Sequence, residues 1–267
     1  MNAILKKKLN LLKKNISELG SVVVAFSGGT DSSLLLKISS EVLGGRVLAV
    51  TVASDFIKSG EVDSARCLAK IMGVRNKVVD CFLLADKKIR SNPRRRCYFC
   101  KKKLMQLLAD VARRGGYAAV IEGSNADDSK QFRPGKKALV ELSIRSPLAE
   151  AELTKKEIRC LARYYRLPNY DAPSSSCLAT RFPYGTRLTA EKLLSVAALE
   201  QQLRHFGVKQ VRVRMHENIA RIEVAKTDLP RLLKVATSSF LSKIKKTGVS
   251  FVCADLEGFR SGSMDQV

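Results

Sequence analysis

The chain has 267 residues, 45% of them hydrophobic, which suits two packed domains, and no run approaches the roughly 18 apolar residues of an ordinary membrane-spanning helix. Its 48 lysines and arginines against 25 acidic residues give a net charge of +23, a field that favours nucleotides, nucleic acid or phosphorylated small molecules; with only 6% aromatic residues, no stacking platform for single-stranded RNA is visible. Seven scattered cysteines and an N-terminus without an apolar signal core fit a reducing, cytoplasmic setting better than a disulfide framework.

Leu5, Leu9, Leu12 and Ile16 recur at helical spacing and predict an amphipathic helix at the N-terminus. Val22-Val-Val-Ala25 then reads as a buried parallel strand that breaks into Ser27-Gly28-Gly29-Thr30-Asp31-Ser32 before a helical pattern resumes at Leu34. Gly28 and Gly29 let the backbone come close to an anion, and the N–H groups of the turn and of the helix start point at it. Ser27 and Ser32 add hydroxyl donors, and Asp31 is placed to hold magnesium. No lysine follows the glycines as it does in GxxxxGK[ST], so a γ-phosphate-transferring ATPase is not indicated.

Strand-like runs at 46–52, 77–80, 118–123 and 145–148 alternate with helical patterns at 61–73 and 100–114. That rhythm predicts an α/β fold, a doubly wound parallel sheet covered on both faces. Thr154-Lys-Lys-Glu157 opens a further helix with a capping box, continued by Ile158, Leu161, Ala162 and Tyr165. Ligands of such sheets sit beyond the carboxyl ends of the strands, so segments 27–32, 52–54 and 122–128, the last containing Gly123, are expected to share one cleft. Pro168, Pro173 and three successive serines then interrupt the pattern, which places a domain boundary between 172 and 173. Beyond it a smaller α+β domain over 173–267 is expected, with helices at 190–206 and 229–240 and strands at 210–215, 220–225 and 249–254.

Cys97-Tyr-Phe-Cys100 lies at a helix start between the basic clusters Arg94-Arg95-Arg96 and Lys101-Lys102-Lys103. Such a pair has three ordinary readings: half a zinc site, a redox pair, or two ligands of an iron–sulfur cluster. The histidines, His205 and His216, are distant in sequence and lack zinc-ligand spacing. Cys177 follows a polar loop and has Arg181 four residues on, a setting that suits thiolate chemistry. Cys67, Cys160 and Cys253 sit in amphipathic helices and an apolar strand and read as packing residues; Cys81 has no partner motif.

Ser27–Ser32 resembles the SGGxDS loop of the PP-loop ATP pyrophosphatases. With Glu122-Gly-Ser-Asn-Ala-Asp-Asp128, the segment 177–185, Arg212-Val-Arg214, Ala220-Arg-Ile-Glu223 and the tail 255–263, the chain from about residue 20 onward is similar to the LarE family of ATP-dependent sulfur transferases. The resemblance implies a PP-loop domain over 1–172 that binds ATP and Mg2+ through Ser27, Gly28, Gly29, Thr30, Asp31, Ser32 and Gly123, and a substrate-binding and sulfur-transfer domain over 173–267. It implies adenylation of pyridinium-3,5-biscarboxylic acid mononucleotide, release of pyrophosphate, and sulfur insertion for the nickel-pincer cofactor of lactate racemase. Cys177 matches the cysteine whose sulfur is delivered. Because Cys97 and Cys100 are present, the chain looks like the three-cysteine members, in which all three would ligate a [4Fe-4S] cluster. Arg212 and Arg214 match the arginines that grip the substrate phosphate, Glu200 matches a metal- or substrate-side acid, and Lys101 and Arg181 are neighbours of pyrophosphate or carboxylate. A homo-oligomer without membrane or nucleic-acid partners is also implied. The alternative is a tRNA 2-thiolation enzyme with the same loop; the charge favours it, and the match through the second domain disfavours it.

Overall fold

A computed structural model describes residues 1–58, 60–130, 135–173, 175–260 and 262–264; Ser174 and Ser261, which fall within motifs quoted above, lie outside the described residues. In chain order the elements begin with α1 (Ala3–Ser17), β1 (Val22–Ala25), α2 (Thr30–Leu43), β2 (Val47–Ser54), α3 (Glu61–Ile71) and β3 (Asn76–Cys81). Next come α4 (Lys87–Arg90), α5 (Arg96–Arg114), β4 (Ala119–Ile121), α6 (Gly135–Glu141), α7 (Pro147–Glu150) and α8 (Lys155–Tyr164). The remainder is α9 (Ala190–His205), β5 (Val211–His216), β6 (Ile219–Val224), α10 (Leu229–Val235), α11 (Ser238–Lys245) and β7 (Phe251–Ala254). Among the described residues no helix is long and apolar enough to cross a membrane.

The chain divides into two units: Met1–Ser54, Gly60–Cys81 and Arg95–Ser174 form the first, and Asp55–Ser59, Phe82–Arg94 and Ser175–Val267 the second. The first holds a parallel sheet of order β3-β2-β1-β4. Successive side chains of a strand point to opposite faces, and the valines of β1 sort accordingly. Val22 and Val24 pack with α1, α2, α3 and α8, whereas Val23 packs with Met105, Leu108 and Ala112 of α5 and Leu139 of α6. The expected doubly wound α/β fold is therefore present. The stripe Leu5, Leu9, Leu12 and Ile16 is buried as its spacing predicts, each side chain contributing about 2 kcal/mol of apolar burial. Thr154 and Glu157 close the predicted capping box at the start of α8.

Residues 145–148 do not form the expected strand. Arg145 makes one parallel bridge to Ile121, and Pro147, with no N–H to give a ladder and a ring preset for a helix start, opens α7 instead.

In the second unit β5 and β6 form an antiparallel pair, with β7 parallel to β6. The single helix expected over 229–240 is two. The Thr237 side chain accepts the Phe240 N–H at 3.3 Å, which caps α11 and ends the run that α10 began.

β1 ends in a turn that only glycine fits well. Gly28 has φ +74°, and a Cβ there would stand 3.1 Å from Ala65 of α3. Gly28→Ala should lower unfolding free energy by about 1–2 kcal/mol, measured in urea.

Candidate active site

In the order β3-β2-β1-β4, chain progression reverses between β1 and β4, and the crevice beyond the carboxyl ends of that strand pair is where such sheets bind ligands. The segments that leave those two strands meet there. A Cβ on Gly123 would stand 3.1 Å from the Ser32 amide nitrogen, so the turn after β4 lies against the first turn of α2 only because residue 123 is glycine. Ser27 and Ser32 are 3.1 Å apart through their hydroxyls, Ser27 Oγ accepts the Gly29 N–H at 3.3 Å, and Ser32 Oγ donates to the Gly29 carbonyl at 3.0 Å. These bonds shape the loop from inside. The N-cap of α2 is Gly29, with no side-chain cap, so the positive end of a 14-residue helix faces the crevice uncapped.

Two residues that the sequence reading missed complete this cradle. Asn169 donates to the Gly28 carbonyl at 2.7 Å and to Ser33 Oγ at 2.9 Å, and its own carbonyl accepts Thr30 Oγ1 at 2.8 Å. Lys155, the first residue of α8, places Nζ 2.5 Å from Asp31 Oδ1. A lysine from another helix thus stands against the aspartate of the loop. Lys101, on α5, binds buried Glu122 at 2.8 Å, and Ser146 Oγ and the Ser124 N–H donate to the same carboxylate. Burial alone would raise the Glu122 pKa, but Lys101 and these hydrogen bonds outweigh it and hold the group below its usual value.

Cys97 and Cys100 occupy the first turn of α5, three residues apart on one side of the helix, and both are half-buried. They belong to the first unit. Cys177 belongs to the second, where it is half-buried and precedes a short turn of 3₁₀ helix.

The Cys177 segment is held by arginines. Arg181 is fully buried; its Nη1 reaches Ser176 Oγ (2.7 Å), the Cys177 carbonyl (3.1 Å) and Thr180 Oγ1 (2.8 Å), and its other nitrogens grip Glu200 at 2.6 and 3.0 Å. Arg212 and Arg214, two apart on β5, both reach this segment: Arg212 donates to Ser176 Oγ at 3.2 Å and Arg214 to the Thr180 carbonyl at 2.8 Å. Arg214 is also paired with Glu223 at 3.0 Å. Burial and the neighbouring Arg181 bring Arg212 down to about 10. Glu200 is not a surface residue of its helix. Wholly buried, it accepts from Arg181 and the Val213 N–H, and Lys58 stands 3.1 Å away. Burial disfavours its charge, but Arg181, Lys58 and Arg212 more than offset this and hold it at about 2.

The fold, with its uncapped glycine-led loop at the switch point, defines a PP-loop nucleotide-binding enzyme. A family model described as NAD synthase matches residues 4–89. An uncharacterized protein of Synechocystis sp. is 37% identical over 99% of both chains, and one of Methanocaldococcus jannaschii is 33% identical over 96% of this chain and 98% of its own. The pyridinium-3,5-bisthiocarboxylic acid mononucleotide synthase of Lactiplantibacillus plantarum is 38% identical over 98% of this chain and 95% of that protein. The chain belongs to this synthase family, LarE.

Two outcomes follow from the geometry. Asn169→Asp should place a carboxylate against the Gly28 carbonyl and raise the KM for the nucleotide about tenfold or more, measured by pyrophosphate release. The depressed Glu200 pKa contributes stability that is complete above about 4.5 and is lost as pH falls toward about 2, worth about 3 kcal/mol. Urea unfolding of the wild type and Glu200→Gln from pH 7 to 2 should therefore converge at the acid end, with the variant about 3 kcal/mol weaker at pH 7.

Proposed function

We propose that this protein is an ATP-dependent sulfur transferase that converts pyridinium-3,5-biscarboxylic acid mononucleotide into pyridinium-3,5-bisthiocarboxylic acid mononucleotide for the nickel-pincer cofactor of lactate racemase. The observation that carries the reading is the similarity to the Lactiplantibacillus plantarum synthase over 98% of the chain, far beyond the residues 4–89 matched by the NAD synthase model. In this reading the first unit activates and the second binds the nucleotide and presents sulfur.

The start of α2 and the Ser27–Ser32 loop bind the ATP phosphates, with Gly123 leaving room for the adjoining turn. Asp31 would hold magnesium, and Lys155 beside it offsets charge on the departing pyrophosphate. A substrate carboxylate oxygen attacks the α-phosphorus; the bond from that phosphorus to the oxygen bridging to the β-phosphorus breaks, and pyrophosphate leaves. Sulfur then attacks the activated carbonyl carbon, and the C–O bond to AMP breaks. Lys101, tied to Glu122 at the end of β4, stands ready to compensate negative charge formed beside the cradle. Arg212 serves the substrate phosphate; Arg214, matched to the same role by resemblance, is engaged by Glu223 and the Thr180 carbonyl, and Arg181 and Glu200 keep the Cys177 segment in place.

Cys97, Cys100 and Cys177 would hold a [4Fe-4S] cluster. Cys97 and Cys100, half-buried one helical turn apart, supply two of the three donors, and among the described residues no three Cys, His, Asp or Glu side chains are gathered as metal ligands. When bound, such a cluster supplies an open iron for the sulfur to be transferred.

A tRNA 2-thiolation enzyme is the second reading, and the net charge of +23 supports it. Incubation of anaerobically reconstituted protein with ATP and the pyridinium nucleotide should yield AMP, pyrophosphate and thiocarboxylate, and Asp31→Ala should abolish pyrophosphate release. ADP and phosphate as products, or thiolation of bulk tRNA with the nucleotide ignored, would overturn the proposal. Replacing any one of the three cysteines by Ala should remove iron and multiple turnover. Loss of one hydrogen sulfide mass from Cys177, with Cys97→Ala fully active, would instead identify sacrificial chemistry.

A further inference from the structure

We propose that Lys58 is a ligand of the substrate phosphate, acting beside Arg212; the assignment deepens the reading above and rests on it for the identity of the nucleotide.

Lys58 carries no motif, and its place comes from the fold. The segment Asp55–Ser59 leaves the end of β2 and joins the second unit. Buried Phe56 anchors it there, its carbonyl accepting the Leu178 N–H at 3.0 Å, one residue beyond Cys177. Asp55 accepts the Leu84 N–H at 3.1 Å. This backbone brings a lysine side chain, 12% exposed, to 3.1 Å from Glu200.

Charge accounting then points to a missing anion. Glu200 faces Arg181, Lys58 and Arg204, with Arg212 close enough to perturb it. Glu223 is already taken by Arg214 and Arg221. One carboxylate against four cations leaves a surplus of about three positive charges in a largely dry setting, a costly arrangement unless an anion completes it. Burial accordingly pulls Lys58 below the ordinary lysine value, and although Glu200 opposes this, Arg181, Arg212 and Arg204 add to the fall.

Donor accounting leaves Lys58 and Arg204 as cations with donors to spare, and of the two Lys58 is the more enclosed, 12% exposed against 33%. Arg181 spends its guanidinium on Glu200 and the Cys177 segment, and Arg214 spends its own on Glu223 and Thr180. An ammonium has three donors. Among the described residues that of Lys58 has one partner, Glu200. A phosphate dianion matches both the surplus charge and the spare donors, and a single carboxylate matches neither as well.

The test uses full-length Lys58→Gln and Lys58→Arg with two substrates, the pyridinium mononucleotide and the nucleoside lacking its phosphate. Lys58→Gln should raise the KM for the nucleotide about tenfold or more at unchanged KM for ATP, Lys58→Arg should recover most of the loss, and the nucleoside should be handled alike by all three proteins. Equal KM increases for nucleotide and nucleoside, or no increase for either, would overturn the assignment. Inorganic phosphate serves as a probe independent of the substrate: it should raise the melting temperature of the wild type and not that of Lys58→Gln. If neither pyridinium compound is turned over while that phosphate effect still requires Lys58, the nucleotide reading fails and the phosphate ligand stands. If the nucleotide is a substrate and Lys58→Gln matches the wild type in both assays, the reverse holds.

Discussion

The second unit is organised around one buried carboxylate. Glu200 projects from α9, is gripped bidentately by Arg181 and accepts the Val213 N–H of β5, so that helix, strand and Cys177 segment are referred to the same two oxygen atoms. Compared with apolar residues filling the same space, ion pairs this deep gain little, because desolvation consumes most of the attraction, although removing one partner alone is costly; what the pair supplies is fixed geometry. Here the geometry fixed is that of Cys177. The Arg181 guanidinium, oriented by Glu200, binds the Cys177 carbonyl and both flanking hydroxyls, Ser176 and Thr180. A cysteine in a loop is thereby held by a plane of donors whose own position is set from the core.

Much of the fold was legible because local patterns and tertiary packing agree. The valines of β1, the leucine stripe of α1 and the Thr154 capping box each state a period or a cap that the packed structure then uses. The reading of Cys67, Cys160 and Cys253 as packing residues failed, since all three are exposed, and at two further places a single residue overrode a plausible pattern. Residues 145–148 have strand-like composition, but Pro147 cannot join a ladder. The apolar run through 229–240 is helical in period, but the Thr237 hydroxyl offers the Phe240 N–H a cap and divides it.

The site was legible only where chemistry is written in short motifs. Gly28, Gly29 and Asp31 announce the cradle, and the spacing of Cys97 and Cys100 marks a pair of thiols on one side of a helix start. Asn169, Lys155 and Lys58 announce nothing, since each acts on residues far away in sequence: on Gly28, Asp31 and Glu200. The same distance hid the state of the arginines. Alternation on a strand gave Arg212 and Arg214 a common side, yet only the folded chain reveals that Glu223 already occupies Arg214.

The interleaving of the two units bears on how the protein is made. Asp55–Ser59 and Phe82–Arg94 emerge from the ribosome between strands of the first sheet, but their partners lie beyond residue 175. Asn92 donates to the Pro183 carbonyl at 2.7 Å and its carbonyl accepts the Gly185 N–H at 2.8 Å, while Lys58 answers to Glu200. A nascent chain that has reached Asn169 already contains every residue of the phosphate cradle, and chains fold from the N-terminus as they appear. Until α9 and β5 follow, the polar groups on those two excursions that later meet them, such as Lys58, are left to water. The order of synthesis thus supplies the whole of the glycine-led cradle first and the partners of the cationic cluster last.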